Sequence, residues 1–137
     1  MSNRHVLVVD DNPTNLKLVS DLLDWFGYRV SAAMDAGQAL EAIRRKAPDL
    51  ILMDIGLPDI DGLTLARLLK TDEKTKQIRI VAVTACAMKG DEQKALEAGC
   101  DAYIAKPINT RTLRSQLAQC LQGGAPSGSG VFEAPGQ

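Results

Sequence analysis

Four places in this 137-residue sequence share one pattern: a short apolar run stops at a polar group able to do chemistry. HVLVV halts at Asp10-Asp11, the run beginning LILMDIGLPDIDG at Asp54, IRIVAV at Thr84, and DAYIA at Lys106. A strand-length run with both faces apolar reads as a strand buried on both sides, which a parallel sheet between helices requires. The carboxyl edge of such a sheet is where open α/β folds bind ligands. Three carboxylates gathered there would repel by roughly 3 kcal/mol per pair at about 5 Å and an effective dielectric of about 20. Ordinary folding does not favour that, so either their pKa values rise or a cation compensates them, and a few hard oxygen ligands suit Mg²⁺ with several retained waters. The chemistry such a site supports is phosphoryl transfer to a carboxylate. Asp54 is the nucleophile that forms an acyl phosphate, the metal neutralises the incoming oxygens, Lys106 ion-pairs with the group, and the Thr84 hydroxyl donates a hydrogen bond to it. Singly, each has an innocent reading: capping acids at Asp10-Asp11, a turn acid at Asp54, a strand-end hydroxyl at Thr84, an ordinary turn at Lys106-Pro107. Their joint appearance at four strand ends is what argues for function.

The elements that must position these groups alternate regularly. His5 to Val9 is the first strand; Asn12-Pro13 starts a helix that runs to about Phe26 and stops at Gly27. Its Leu16, Val19, Leu23 and Phe26 form a core stripe, and Leu18, Leu22 and Trp25 widen it beyond what one sheet face usually needs. Tyr28 to Ala33 is a second strand, and Asp35 caps a helix with Ala36, Leu40 and Ile43 inward, ended by Arg44-Arg45-Lys46. Asp49 to Asp54 is the third strand, Leu63 to Lys70 a helix with Leu65, Leu68 and Leu69 inward, Ile78 to Val83 the fourth strand, and Lys89 to Ala98 a helix stopped by Gly99. Asp101 to Ala105 is a short fifth strand, and Thr110 caps a last helix with Leu113, Leu117 and Leu121 inward. Strand–helix alternation with short connections predicts an α/β fold, a parallel sheet covered by helices on both faces with right-handed crossovers. Residues 1–122 make one domain, and the Gly, Ala, Pro and Ser of 123–137 read as a flexible tail.

Charge and composition narrow the partners. Sixteen basic against 17 acidic residues leave no electrostatic footprint for nucleic acid or an anionic membrane. No apolar segment approaches the roughly 20 residues that span a bilayer, and the opening MSNRHVLVVDD is acidic where a signal peptide needs an apolar core. Cys86, Cys100 and Cys120 have no metal-ligand spacing and read as small packing residues, so a reducing, cytoplasmic setting is expected.

VLVVDDN, LILMDIGLPDIDG, VAVTA and YIAKP, in that order and spacing, resemble the receiver domain of two-component response regulators over about residues 4 to 122. The resemblance implies the flavodoxin-like, CheY-like three-layer fold with strand order 2-1-3-4-5. It implies Mg²⁺-dependent phosphotransfer to Asp54 from a phosphohistidine on a histidine kinase or phosphotransfer protein, in a signalling domain rather than an enzyme. By matching positions, Asp11 and Asp54 would bind the metal directly, Asp10 through water, and the Gly56 carbonyl would add a ligand. Lys106 would precede a cis Pro107. Thr84 and Tyr103 would form the switch, though Tyr103 also reads as a half-buried aromatic on an edge strand. Receivers meet the helical bundle that carries the phosphohistidine through the first helix. Leu18, Leu22 and Trp25 are therefore expected to form that docking surface, with plain core packing as the alternative. Signalling to a downstream protein effector is expected through the fourth helix, fifth strand and fifth helix of a stand-alone receiver, with a receiver that shuttles phosphate within a relay, or one cut from a hybrid kinase, as equal alternatives.

Rival readings each meet an obstacle. A flavodoxin-type cofactor binder must cradle a phosphate at its first loop, where Asp10-Asp11 would repel it. An aspartyl phosphatase on a related fold needs an acid two residues beyond its nucleophile in the first strand, and a cap domain. A receiver used purely as a binding module would not need the full acid set.

Overall fold

A computed structural model describes residues 4–55, 62–84, 89–105 and 108–121. Five strands, β1 (His5–Val9), β2 (Arg29–Ala33), β3 (Leu50–Asp54), β4 (Arg79–Thr84) and β5 (Ala102–Ala105), alternate with five helices. These are α1 (Pro13–Trp25), α2 (Ala36–Arg45), α3 (Gly62–Thr71), α4 (Lys89–Glu97) and α5 (Thr110–Leu121). All neighbouring strands pair in parallel in the order β2-β1-β3-β4-β5. The expected sheet is therefore the observed one, including its order.

Alternation along each strand divides the core into two. Val6, Val8, Leu50, Leu52, Val81 and Val83 pack with Val19 and Leu23 of α1 and Leu113 and Leu117 of α5. Leu7, Val9, Ile51, Met53, Ile80 and Ala82 face the other way, against α2, α3 and the end of α4. A sheet greasy on both faces can only be dry if helices cover both, which makes the three layers.

Local chemistry sets the helix ends. The Asn12 side chain accepts from the N–H groups of Thr14 and Asn15 at 2.9 and 3.2 Å, with Pro13 at the first position. After Phe26 the chain turns at Gly27, whose φ of 101° suits a residue without a Cβ. Asp35 accepts from the Gln38 N–H, and the Gln38 side chain accepts from the Met34 N–H, a reciprocal lock at the start of α2.

Three details depart from the sequence reading. Leu40 and Leu68 are 38 % and 52 % exposed, whereas Ala39 and Ala66 are buried in their place. A helix lying close on a sheet needs small residues along the line of contact, so the buried stripe of α2 runs Ala36, Ala39, Ile43 and the leucines fall on the flank. Asn109, not Thr110, heads α5: its side chain accepts from the Arg111 N–H at 2.9 Å, which leaves Thr110 as the first helical residue. Tyr103 is buried rather than half-buried, because its side of β5 faces the α2–α3–α4 layer.

Candidate functional site

The strands of a parallel sheet all end on the same side, and here three acids end there together. The Asp10 N–H donates to the Ala33 carbonyl at 3.0 Å, which carries the β1–β2 pairing one residue past the strand. The chain then turns into α1, and the Asp10 carboxylate accepts from the Asn12 N–H at 2.9 Å. This turn sends Asp10 inward, where it is buried, and Asp11 outward, where it is exposed. Asp54 closes β3 next to β1 and is half-buried. One carboxylate oxygen from each of Asp10, Asp11 and Asp54 lies within 4.8 Å of the others. Three like charges at that spacing repel by roughly 3 kcal/mol per pair at an effective dielectric of about 20, so the cluster favours a bound cation. All three donors are hard carboxylate oxygens, which match Mg²⁺ better than a thiophilic metal.

Thr84 ends β4 and is buried, one residue beyond Val83, the cross-strand partner of Asp54. Tyr103 lies opposite Ala82 in the β4–β5 pair. Lys106, Pro107, Gly56 and Cys86 lie outside the described residues, as does the expected tail at 123–137. Leu18 and Trp25 are 58 % and 78 % exposed on α1, and Leu22 is half-buried against the core, so of the wider stripe only Leu22 is drawn inward.

Cys100 and Cys120 are buried as expected, and burial is the main reason their thiols are pushed up to about 12 and about 11. Buried thiols with raised pKa values are poor nucleophiles, which fits a packing role for both. A hollow of about 740 Å³ between β2 and α2, lined by His5, Arg29, Ser31 and Arg45 among others, includes none of the three acids.

Two features escaped the sequence reading. Lys70, read only as the end of a helix, reaches from α3 to Asp101 at 2.9 Å, and Asp101 also accepts from the Ile80 N–H at 2.8 Å. Gly62, read only as the end of the Asp54 loop, lies so close to Asp54 that a Cβ on it would stand 2.8 Å from the Asp54 carbonyl oxygen. A glycine placed just where a loop turns into a helix was the available signal for such a close approach.

Comparison with known proteins agrees with this architecture. The family model described as response regulator receiver domain matches residues 6–118. The polar-differentiation response regulator DivK of Brucella ovis is 44 % identical over 118 residues, spanning 83 % of this chain and 96 % of that protein. Among solved structures, the CheY-like response regulator receiver domain protein of Methanospirillum hungatei superposes with a TM-score of 0.81 at 33 % identity, covering 88 % of this chain and 95 % of that one. The receiver domain of the sensor histidine kinase PA1611 of Pseudomonas aeruginosa, solved with a magnesium ion coordinated in its active site cleft, gives 0.80 at 35 % identity, covering 88 % and 99 %. With acids, sheet and relatives in agreement, this chain belongs to the response regulator receiver domains of two-component signalling.

Proposed function

We propose that this chain accepts a phosphoryl group on Asp54 from a phosphohistidine of a histidine kinase or phosphotransfer protein, in a Mg²⁺-dependent reaction, and signals through protein contacts. The observation that carries this reading is the convergence of Asp10, Asp11 and Asp54 within 4.8 Å. An Asp54 carboxylate oxygen attacks the phosphorus in line, the P–N bond to the imidazole breaks, and the bond's electron pair leaves on the ring nitrogen. The product is an acyl phosphate on Asp54 and a free histidine on the donor. Asp11 and Asp54 would hold the ion directly and Asp10 through water, with the Gly56 carbonyl as a further ligand. The ion supplies charge neutralisation for the phosphoryl oxygens.

In this reading the Thr84 hydroxyl donates a hydrogen bond to a phosphoryl oxygen, and Lys106 balances the remaining charge. Movement of Thr84 and repositioning of Tyr103 then report phosphorylation to a downstream protein effector. Leu18, Leu22 and Trp25 offer the donor protein an apolar stripe on α1, supported by the exposure of Leu18 and Trp25. Residues 1–122 form the working unit in this reading. Among the described residues no helix is long and apolar enough to cross a membrane, which fits a domain working in the cytoplasm.

Incubation with Mg²⁺ and acetyl phosphate, followed by intact-mass measurement, tests the chemistry. Wild type gains one phosphoryl group, and chelation of Mg²⁺ prevents it. Asp54→Asn lowers incorporation on the order of 10³-fold or more, as losing a nucleophile does. Equal labelling of Asp54→Asn refutes the assignment.

A further inference from the structure

Gly62 is buried and begins α3. Its N–H donates to the Ile55 carbonyl at 2.9 Å, so the residues flanking the 56–61 connection are bonded to each other. A Cβ on Gly62 would stand 2.8 Å from the Asp54 carbonyl oxygen, 2.8 Å from Ile55 Cα and 3.0 Å from the Ile55 carbonyl oxygen. All three are backbone atoms, which cannot swing aside as the tip of a side chain can. The same peptide is held from its other edge: the Ile55 N–H donates to the Val83 carbonyl at 3.0 Å, and Asp54 is in register with Val83.

The conformation of Gly62 does not explain the glycine. Among the described residues, positive φ occurs only at Gly27 and Gly99. Helix propensity taken alone would favour alanine at this position. What demands the missing side chain is the contact with the backbone of Asp54 and Ile55. The geometry points to Gly62 as a positioning residue for Asp54: by admitting α3 against this peptide, it sets the angle at which the Asp54 carboxylate meets Asp10 and Asp11. The inference rests on the reading of Asp54 as the phosphoryl acceptor. Because the Cα–Cβ bond turns with its own peptide, a displacement of a few tenths of an ångström there is carried to the reacting oxygen.

Gly62→Ala and Gly99→Ala form the test pair. Gly99 has φ of 99° and a built Cβ 2.8 Å from Lys70 Cγ, so its substitution strains a site remote from the acids. Both variants should melt below wild type. Only Gly62→Ala should weaken Mg²⁺ binding, measured by calorimetric titration, by about tenfold or more. It should also slow phosphorylation at saturating acetyl phosphate while leaving the half-saturating donor concentration unchanged. A Gly62→Ala protein with wild-type Mg²⁺ affinity and rate overturns the inference, and so does an equal loss in Gly99→Ala.

If Gly62→Ala does not fold, wild type decides. By reciprocity, an ion that selects the gripped position of Asp54 must tighten the grip. Added Mg²⁺ should therefore slow hydrogen exchange at the Gly62 N–H more than at the Gly27 and Gly99 N–H groups. Exchange at Gly62 that ignores Mg²⁺ overturns the inference. Wild type that neither binds Mg²⁺ nor accepts phosphate brings down the reading of Asp54, and this inference with it, whereas a failure confined to Gly62 leaves that reading standing.

Discussion

The two ends of the sheet treat acids in opposite ways. At the amino end, Asp49 accepts from the His5 N–H at 2.8 Å, and Asp101 accepts from the Ile80 N–H and from Lys70, whose ammonium also donates to the Ile78 and Lys76 carbonyls. Each carboxylate there answers donors that the fold itself must satisfy. At the carboxyl end, three carboxylates are set against one another within 4.8 Å. The amino-end acids hold the strands in place; at the carboxyl end Asp10 holds the Asn12 N–H as well, and the three acids together carry a repulsion that a cation can relieve. A receiver needs both, since the repulsion is tolerable only in a frame secured elsewhere.

The sharpest way to break this contrast is to neutralise one acid at each end. Asp101→Ala takes the counter-charge from the Lys70 ammonium, which keeps only carbonyl acceptors, and leaves the Ile80 N–H without the Asp101 carboxylate, in a pair only about a fifth exposed; it should cost about 2–3 kcal/mol by urea denaturation. Asp54→Asn without Mg²⁺ should go the other way, raising stability by about 1 kcal/mol as repulsion falls. Mg²⁺ at a hundred times its dissociation constant should stabilise wild type by about 2.7 kcal/mol and the Asp54→Asn protein by much less. A stability loss in Asp54→Asn as large as that in Asp101→Ala would abolish the distinction.

The next effect is alkaline and belongs to the frame. Burial raises Cys100 to about 12 and Cys120 to about 11, above the ordinary 9.0, so the folded state keeps two protons that the unfolded chain releases. Their contribution is fully present below about pH 9 and falls as pH rises toward 11–12, by up to about 1.4 kcal/mol per pH unit for each thiol. Denaturation midpoints measured from pH 8 to pH 11 check this; replacing either cysteine with alanine should flatten the slope.

The smallest stability effect tests the docking surface. Leu18→Ala, at an exposed position, should change stability by under about 0.5 kcal/mol. Paired with Leu22→Ala, it should slow transfer from a phosphohistidine protein by about tenfold, as lost apolar anchors do, and leave acetyl phosphate labelling unchanged. Equal transfer rates would return the α1 stripe to plain packing.

The sheet and the meeting of Asp10, Asp11 and Asp54 were readable because four of the strands are apolar runs ending in a polar group, and parallel topology brings such ends to one edge; the strand order followed from the receiver resemblance. Leu40 and Leu68 were misread because periodicity marks a broad helix face, while contact with the sheet selects the narrower stripe where Ala39 and Ala66 fit. Asn109 and Thr110 are both capping types, and only the hydrogen bond to Arg111 separates them. The Lys70–Asp101 pair joins residues 31 apart on elements that meet only in three dimensions, which no local pattern records.

The two adjacent acids of the first turn are unequal as experimental handles. Asp10 accepts the N–H of Asn12, and Asn12 in turn caps α1, so replacing Asp10 disturbs the acid cluster and the head of that helix in one stroke. Asp11 is exposed on the outer side of the same turn. A lost response after changing Asp10 therefore confounds two causes, while the same loss at Asp11 points to the acid cluster alone.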